Sequence, residues 1–268
     1  VRAQLARHRQ QHASTAPRPP LLVGVQGPQG SGKTTLTRQL QGQLADEALH
    51  VVVFSLDDLY LTHADQLALA ASAPHNKLLA GRGQPGTHDV ALGTAVLHAL
   101  RSLNAAAGTP LALPVYDKAA FNGAGDRAAQ TVEVRSPVDV VLFEGWCLGF
   151  APLEPSLLRE RYAAAVKRSK AGDTPPYFLD HALEHIEDLN QRLAAYQQAW
   201  WALLDAFVQL APAAEQREAL ETIFAWRGEA EVKMKAACGQ GMSPEEVRTF
   251  VRRYMPSYEL FAEGVLGP

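Results

Sequence analysis

The chain has 268 residues, 47% hydrophobic and 20% charged, enough for one large core or for one domain with appendages. A net charge of −3 argues against a general nucleic-acid binder, and no apolar run is long enough to span a membrane. Cys147 and Cys238 lie far apart and form no C-x-x-C, which points to a reduced, cytoplasmic protein.

Residues 1–20 read as an N-terminal arm or docked helix. Their first eighteen positions carry Arg2, Arg7, Arg9 and Arg18 with no acid, and they lack the apolar stretch of a secretory signal. Residues 21–268 show no linker-like run and read as a single domain. "LLVGV" (21–25) is a short buried strand, followed by a glycine-rich turn and a helix from Gly32 to about Ala45. "HVVVFSL" (50–56) is a second strand, and helices are predicted over 64–72 and 89–104. "PLALPVY" (110–116) reads as a third strand and "VDVVLFEG" (138–145) as a fourth. Beyond residue 152 the pattern turns helical, with residues 175–204 as one long helix leading into a fifth strand, "DAFVQLA" (205–211). Apolar strands alternating with helices predict an α/β fold: a five-stranded, mostly parallel sheet covered by helices on both faces, with a helical C-terminal part. Such a sheet binds ligands beyond the carboxyl ends of its strands.

"GPQGSGKT" (27–34) fits G-x-x-x-x-G-K-[ST] and lies where that motif must lie, between a strand and a helix. Its glycines allow backbone N–H groups to turn inward onto phosphate oxygens, and the helix adds the positive end of its dipole. Gly27, Gly30, Ser31, Gly32, Lys33, Thr34 and Thr35 are therefore candidate nucleotide contacts. Lys33 is placed to reach the β- and γ-phosphates, and the Thr34 hydroxyl to ligate magnesium. The chain lacks the N-K-x-D of GTPases, since "NKLL" (76–79) has Leu79 where aspartate is needed. Nor does it carry the "SGGQ" of transporter ATPases. A kinase, or an ATPase that couples hydrolysis to motion, remains.

A P-loop kinase needs carboxylates at neighbouring strand ends, to steady magnesium and to accept the proton of the attacking hydroxyl. Glu144 ends "VVLFEG", while Asp57 and Asp58 follow "VVVFSL". Alone, the aspartate pair reads equally as a capping turn. Two further segments collect polar groups suited to an anionic, hydroxylated acceptor. "AGRGQPGTHD" (80–89) offers Arg82, His88 and Asp89, and "PVYDKAAFNGAGDRA" (114–128) offers Tyr116, Asp117, Lys118, Asp126 and Arg127. Either segment also reads as a solvated loop. "HALEH" (181–185) fits a zinc-protease pattern, with Glu215 or Glu218 as a third ligand, but it lies in a charged helix and reads better as chance. Cys147 has no task in phosphoryl transfer and reads as packing.

"GPQGSGKTT", "SLDDLYLT", "GRGQPGTHD", "PVYDKAAFNGAGDR", "FEGWCLGF", "WRGEAEVKM" and "GMSPEEVRTFVRRYMPSYEL" stand in the order found in the D-glycerate 3-kinase family. The chain resembles that family over residues 20–266, and more distantly uridine kinase, phosphoribulokinase and pantothenate kinase. The resemblance implies a P-loop kinase core with a lid, using ATP and Mg2+ to phosphorylate a small acceptor, D-glycerate first. It implies Asp57 as catalytic base, Glu144 beside magnesium, and Arg227 on a lid helix reaching the transferred phosphate. Asp58, Tyr60, Arg82, His88, Asp89, Tyr116, Lys118, Arg127 and Arg253 are the acceptor-side candidates. Departures from the family pattern are Leu59 for Phe, Ala119 for Ser, and "WRGEAE" for "WRLQAE". The other reading is a kinase for a different small acceptor, or an ATPase switch that binds a protein.

Overall fold

The computed structural model describes residues 1–106, 108–213, 216–238 and 241–265. Helix α1 (Arg2–Gln11) precedes strand β1 (Leu21–Gln26), the phosphate loop and helix α2 (Lys33–Ala45). Strand β2 (Val51–Ser55), a 3-10 turn over Leu56–Leu59, and helices α3 (His63–Ser72) and α4 (Val90–Ser102) follow. Then come β3 (Leu111–Asp117), β4 (Asp126–Val134), β5 (Val140–Gly145), α5 (Pro155–Lys170), α6 (Leu183–Ala199) and β6 (Ala206–Gln209). Helices α7 (Gln216–Cys238), α8 (Pro244–Arg252) and α9 (Met255–Phe261) end the chain.

Strands β2, β5, β1 and β6 form, in that order, one parallel sheet. Alternate residues feed two cores, as a pleat buried on both faces requires. Leu21, Val23, Val25, Val51, Val140 and Leu142 pack beneath α2 and α1, with Leu36, Leu40 and Leu5. Leu22, Val52, Phe54, Val141 and Phe143 face the larger core, built with α4, α5, α6, α8 and α9. Trp200, at the end of α6, is fully buried in this core.

Two expectations need correction. The sheet has four parallel strands among the described residues, not five, because β3 leaves it and pairs antiparallel with β4 in a separate hairpin. Pro114 lacks the N–H that a central strand must donate, and the β3–β4 register shifts between Pro114 and Tyr116. The long helix over 175–204 is instead a 3-10 turn (Tyr177–Asp180), then α6, then a second 3-10 turn (Trp201–Leu203). The Glu259 carboxylate accepts the N–H groups of Tyr177 and Phe178 at 2.9 Å each, holding that turn apart from α6. His181 therefore stands outside the helix in extended backbone, and the His181–His185 pair loses the shared helical face that zinc would need. Glu215 lies outside the described residues.

No helix among the described residues is long and apolar enough to cross a membrane. Helix α1 is docked on the sheet through buried Leu5 and the Arg9–Asp139 ion pair at 2.7 Å.

Candidate active site

Helix α2 starts at Lys33 without a side-chain cap, its N-cap Gly32 holding φ +86°. The N–H groups of its first turn, Thr34 and Thr35 included, therefore await an anion. Gly30 also has positive φ, +79°, and a methyl group there would lie 2.4 Å from the Trp226 carbonyl of α7. Gly27 is equally tight, since a methyl group would meet the Ser31 hydroxyl at 2.6 Å. The Lys33 ammonium donates to the Pro28 carbonyl at 3.0 Å. Burial pulls its pKa below the ordinary lysine value, opposed by the charges of Glu144 and Asp57.

Parallel pairing fixes the two strand-end acids beside this loop. Glu144 is in register with Val25 on one side and Ser55 on the other, and the Ser55 hydroxyl donates to its carboxylate at 3.2 Å. Burial raises the Glu144 pKa, partly offset by Lys33. Two residues past Ser55 stands Asp57, whose N–H bonds the Ser55 hydroxyl at 3.3 Å. Burial alone would raise Asp57 as well, but the Lys118 ammonium at 2.5 Å, helped by the charge of Lys33, holds the carboxyl below its usual range. Asp58 turns away and accepts the Tyr116 N–H at 3.0 Å, so it ties the 3-10 turn to the β3–β4 hairpin. The adjacent acids thus part company, one into the site and one into the scaffold.

Helix α7 closes the site from above. A cavity of about 510 Å³ is lined by Lys33, Thr34, Asp57, Glu144, Arg82 and Lys118 below and by Arg227 above. Tyr60, Trp146, Phe250 and Tyr254 complete its walls. Phosphate-loop residues with Lys33, the Asp57 and Glu144 carboxylates, and three further cationic side chains therefore face one space.

No family model matches the chain. A solved D-glycerate 3-kinase from Cryptococcus neoformans shares 43% identity with it, at a TM-score of 0.86 over 98% of this chain and 86% of that one. The chain belongs to the D-glycerate 3-kinase family. The chloroplastic D-glycerate 3-kinase of Arabidopsis thaliana is 36% identical over 271 residues, 98% of this chain, which spans 54% of that relative's length. An uncharacterized kinase of Schizosaccharomyces pombe is 36% identical over 90% of this chain and 81% of its own length.

In this D-glycerate 3-kinase relative the acceptor-side candidates scatter. Arg82 lines the cavity and donates to the carbonyls of Gly123, at 2.6 Å, and Ala124, holding the hairpin tip over the site. His88 lies buried behind Tyr60, ring centroids 4.2 Å apart, with Nδ1 2.7 Å from the Tyr196 hydroxyl. Burial lowers the His88 pKa to about 3, so the ring is neutral. Asp89 caps α4 through the Leu92 N–H at 2.9 Å and pairs with Arg127 at 3.1 Å. Tyr116 packs beneath Arg82, and Arg253 is exposed on the rim, 3.4 Å from the Arg82 carbonyl. His88, Asp89, Tyr116, Arg127 and Arg253 do not line the cavity; they brace the elements that do.

Trp146, Tyr254, Phe250, Met234 and Met242 line the cavity without having been singled out in the sequence. The signal was present, since all five fall inside "FEGWCLGF", "WRGEAEVKM" and "GMSPEEVRTFVRRYMPSYEL". An apolar side chain in such a motif reads as core until the fold turns it inward on a pocket.

No group of three or more His, Cys, Asp or Glu among the described residues could hold a metal unaided. The Thr34 hydroxyl and the Glu144 carboxylate do face the same space. Two oxygen donors, with phosphate oxygens and water completing the shell, fit magnesium.

Proposed function

We propose that this chain transfers the γ-phosphoryl group of ATP to the 3-hydroxyl of D-glycerate. The observation that carries the reading is the single cavity in which Lys33, Thr34, Asp57, Glu144, Lys118 and Arg227 meet. The names of the Cryptococcus and Arabidopsis relatives supply the acceptor.

Asp57 is ionised, lies in the cavity and accepts the proton of the attacking hydroxyl as the new O–P bond forms. The bond from the γ-phosphorus to the leaving oxygen of ADP breaks in line with it. Lys33 and Arg227 lie on the phosphate side and neutralise charge on the moving phosphoryl group. Thr34 and Glu144 would hold magnesium, which would supply charge neutralisation beside the phosphates. On the acceptor side Lys118 and Arg82 present positive charge to a small carboxylate, and Tyr60 and Trp146 shape the wall. Helix α7 and the hairpin tip exclude water, so that phosphoryl transfer to glycerate outruns hydrolysis. A cytoplasmic setting suits the free, buried Cys147.

ATP consumption by the purified chain, measured with D-glycerate, L-glycerate, uridine, pantothenate and ribulose 5-phosphate in turn, tests the reading. D-glycerate should give the fastest acceptor-dependent turnover, with 3-phosphoglycerate as product. Preference for another compound reassigns the acceptor, and no acceptor-dependent turnover at all sinks the kinase assignment.

A further inference from the structure

Helix α7 carries Arg227 and Glu231 one turn apart, so both side chains leave the helix on one face. Arg227 lines the cavity, but Glu231 does not and is almost wholly buried, its side chain 3% exposed. A buried carboxylate is costly unless its charge is matched, and here two partners meet it. The Arg227 guanidinium lies 2.5 Å from Oε2, and Oε1 accepts the Met242 N–H at 2.6 Å. Gly241 must be small at this point, because a methyl group there would lie 2.8 Å from Oε1. One carboxylate thus ties the lid arginine to the segment that leads into α8.

Two further contacts fix where the arginine sits. Its guanidinium carbon stands 5.4 Å over the ring of Phe250, from α8. The backbone of Trp226 and Arg227 rests against Gly30 of the phosphate loop, close enough to exclude a methyl group. The pair engages Arg227 through one guanidinium nitrogen, so its other N–H donors remain for an anion in the cavity. A planar guanidinium can bridge two anions in this way, while a lysine ammonium is a single point charge.

We propose that Glu231 is a positioning residue for phosphoryl transfer: it holds Arg227 against the phosphate loop, so that the guanidinium is in place before the γ-phosphoryl group moves. This rests on the kinase reading and on Arg227 acting at the transferred phosphate. Glu231 touches neither substrate, so its effect falls on the chemical step rather than on binding.

The experiment is a double-mutant cycle on the full chain with ATP and D-glycerate, reading kcat and KM separately. Glu231→Gln, which keeps shape and removes charge, should lower kcat by about 10- to 100-fold, the cost of a misplaced catalytic group, with both KM values nearly unchanged. Arg227→Lys should be slow by a similar factor, and the double variant no slower than Arg227→Lys alone. A purely structural role would instead lower thermal stability and multiply the two losses, and that result overturns the proposal. Full kcat in Glu231→Gln beside a slow Arg227→Lys overturns it too, leaving the kinase reading and the role of Arg227 intact. Full kcat in Arg227→Lys overturns both roles. If Glu231→Gln does not fold, Glu231→Asp, which keeps the charge but withdraws it by one methylene, must still lower kcat; an unchanged kcat there overturns the proposal.

Discussion

Asp57 and Asp58 are adjacent carboxylates with separate fates. Asp58 spends one oxygen on the Tyr116 N–H, whereas Asp57 faces the cavity with the Lys118 ammonium 2.5 Å away. Burial acts to raise the Asp57 pKa, Lys118 with help from Lys33 acts to lower it, and the lowering prevails, so Asp57 is ionised throughout the neutral range. Removing that charge by Lys118→Met takes away the main influence opposing burial, Lys33 alone being weaker, and raises the Asp57 pKa. The acid limb of kcat/KM for D-glycerate, recorded at saturating Mg·ATP so that Glu144 is already engaged, should therefore move to higher pH. A limb that stays in place, or moves down, would show that Lys118 does not set the base. The place of Asp57 in the cavity was legible because strand-end position and motif agreed. Glu231 was not legible: in sequence it is one acid among several on a charged helix, and only burial and the contact with Arg227 set it apart.

At the scale of elements, the strands β1, β2, β5 and β6 announced themselves by apolar runs, and the phosphate loop by its glycines. The hairpin did not. "DRAAQTVEV" is largely exposed and alternates only over its last residues, Thr131–Val134, too short a run to mark a strand, while Pro114 in "PLALPVY" is the sign that β3 is not central. Its tip, held by Arg82, closes one side of the site, and α7 closes the other. The contact between α7 and the phosphate loop is carried by Gly30, which has both a positive φ and no room for a side chain. Gly30→Ala adds a conformational cost of about 1–2 kcal/mol and drives a methyl group into the Trp226 carbonyl. The loop or the lid must shift, so kcat/KM for ATP should fall by about tenfold or more while the fold, read by circular dichroism, persists. Unchanged kinetics would mean that α7 does not close on the loop during turnover.

For the whole molecule, the parallel order β2-β5-β1-β6 brings three strand ends to one edge: the phosphate loop after β1, Asp57 after β2 and Glu144 at the end of β5. Sequence alone gave that convergence, because parallel topology places every carboxyl end on the same side. It did not give the acceptor pocket, whose walls come from the hairpin, α7 and the residues around Phe250 and Tyr254, far apart in the chain. On the proposed reading, this convergence performs phosphoryl transfer with Asp57 as base. Its most direct test is the rate of D-glycerate-dependent ADP formation by Asp57→Asn, beside its affinity for Mg·ATP. Nucleotide binding should stay close to that of the unmodified chain, and turnover should be slower by about two to four orders of magnitude. Turnover near the unmodified rate would contradict that reading and place the base elsewhere.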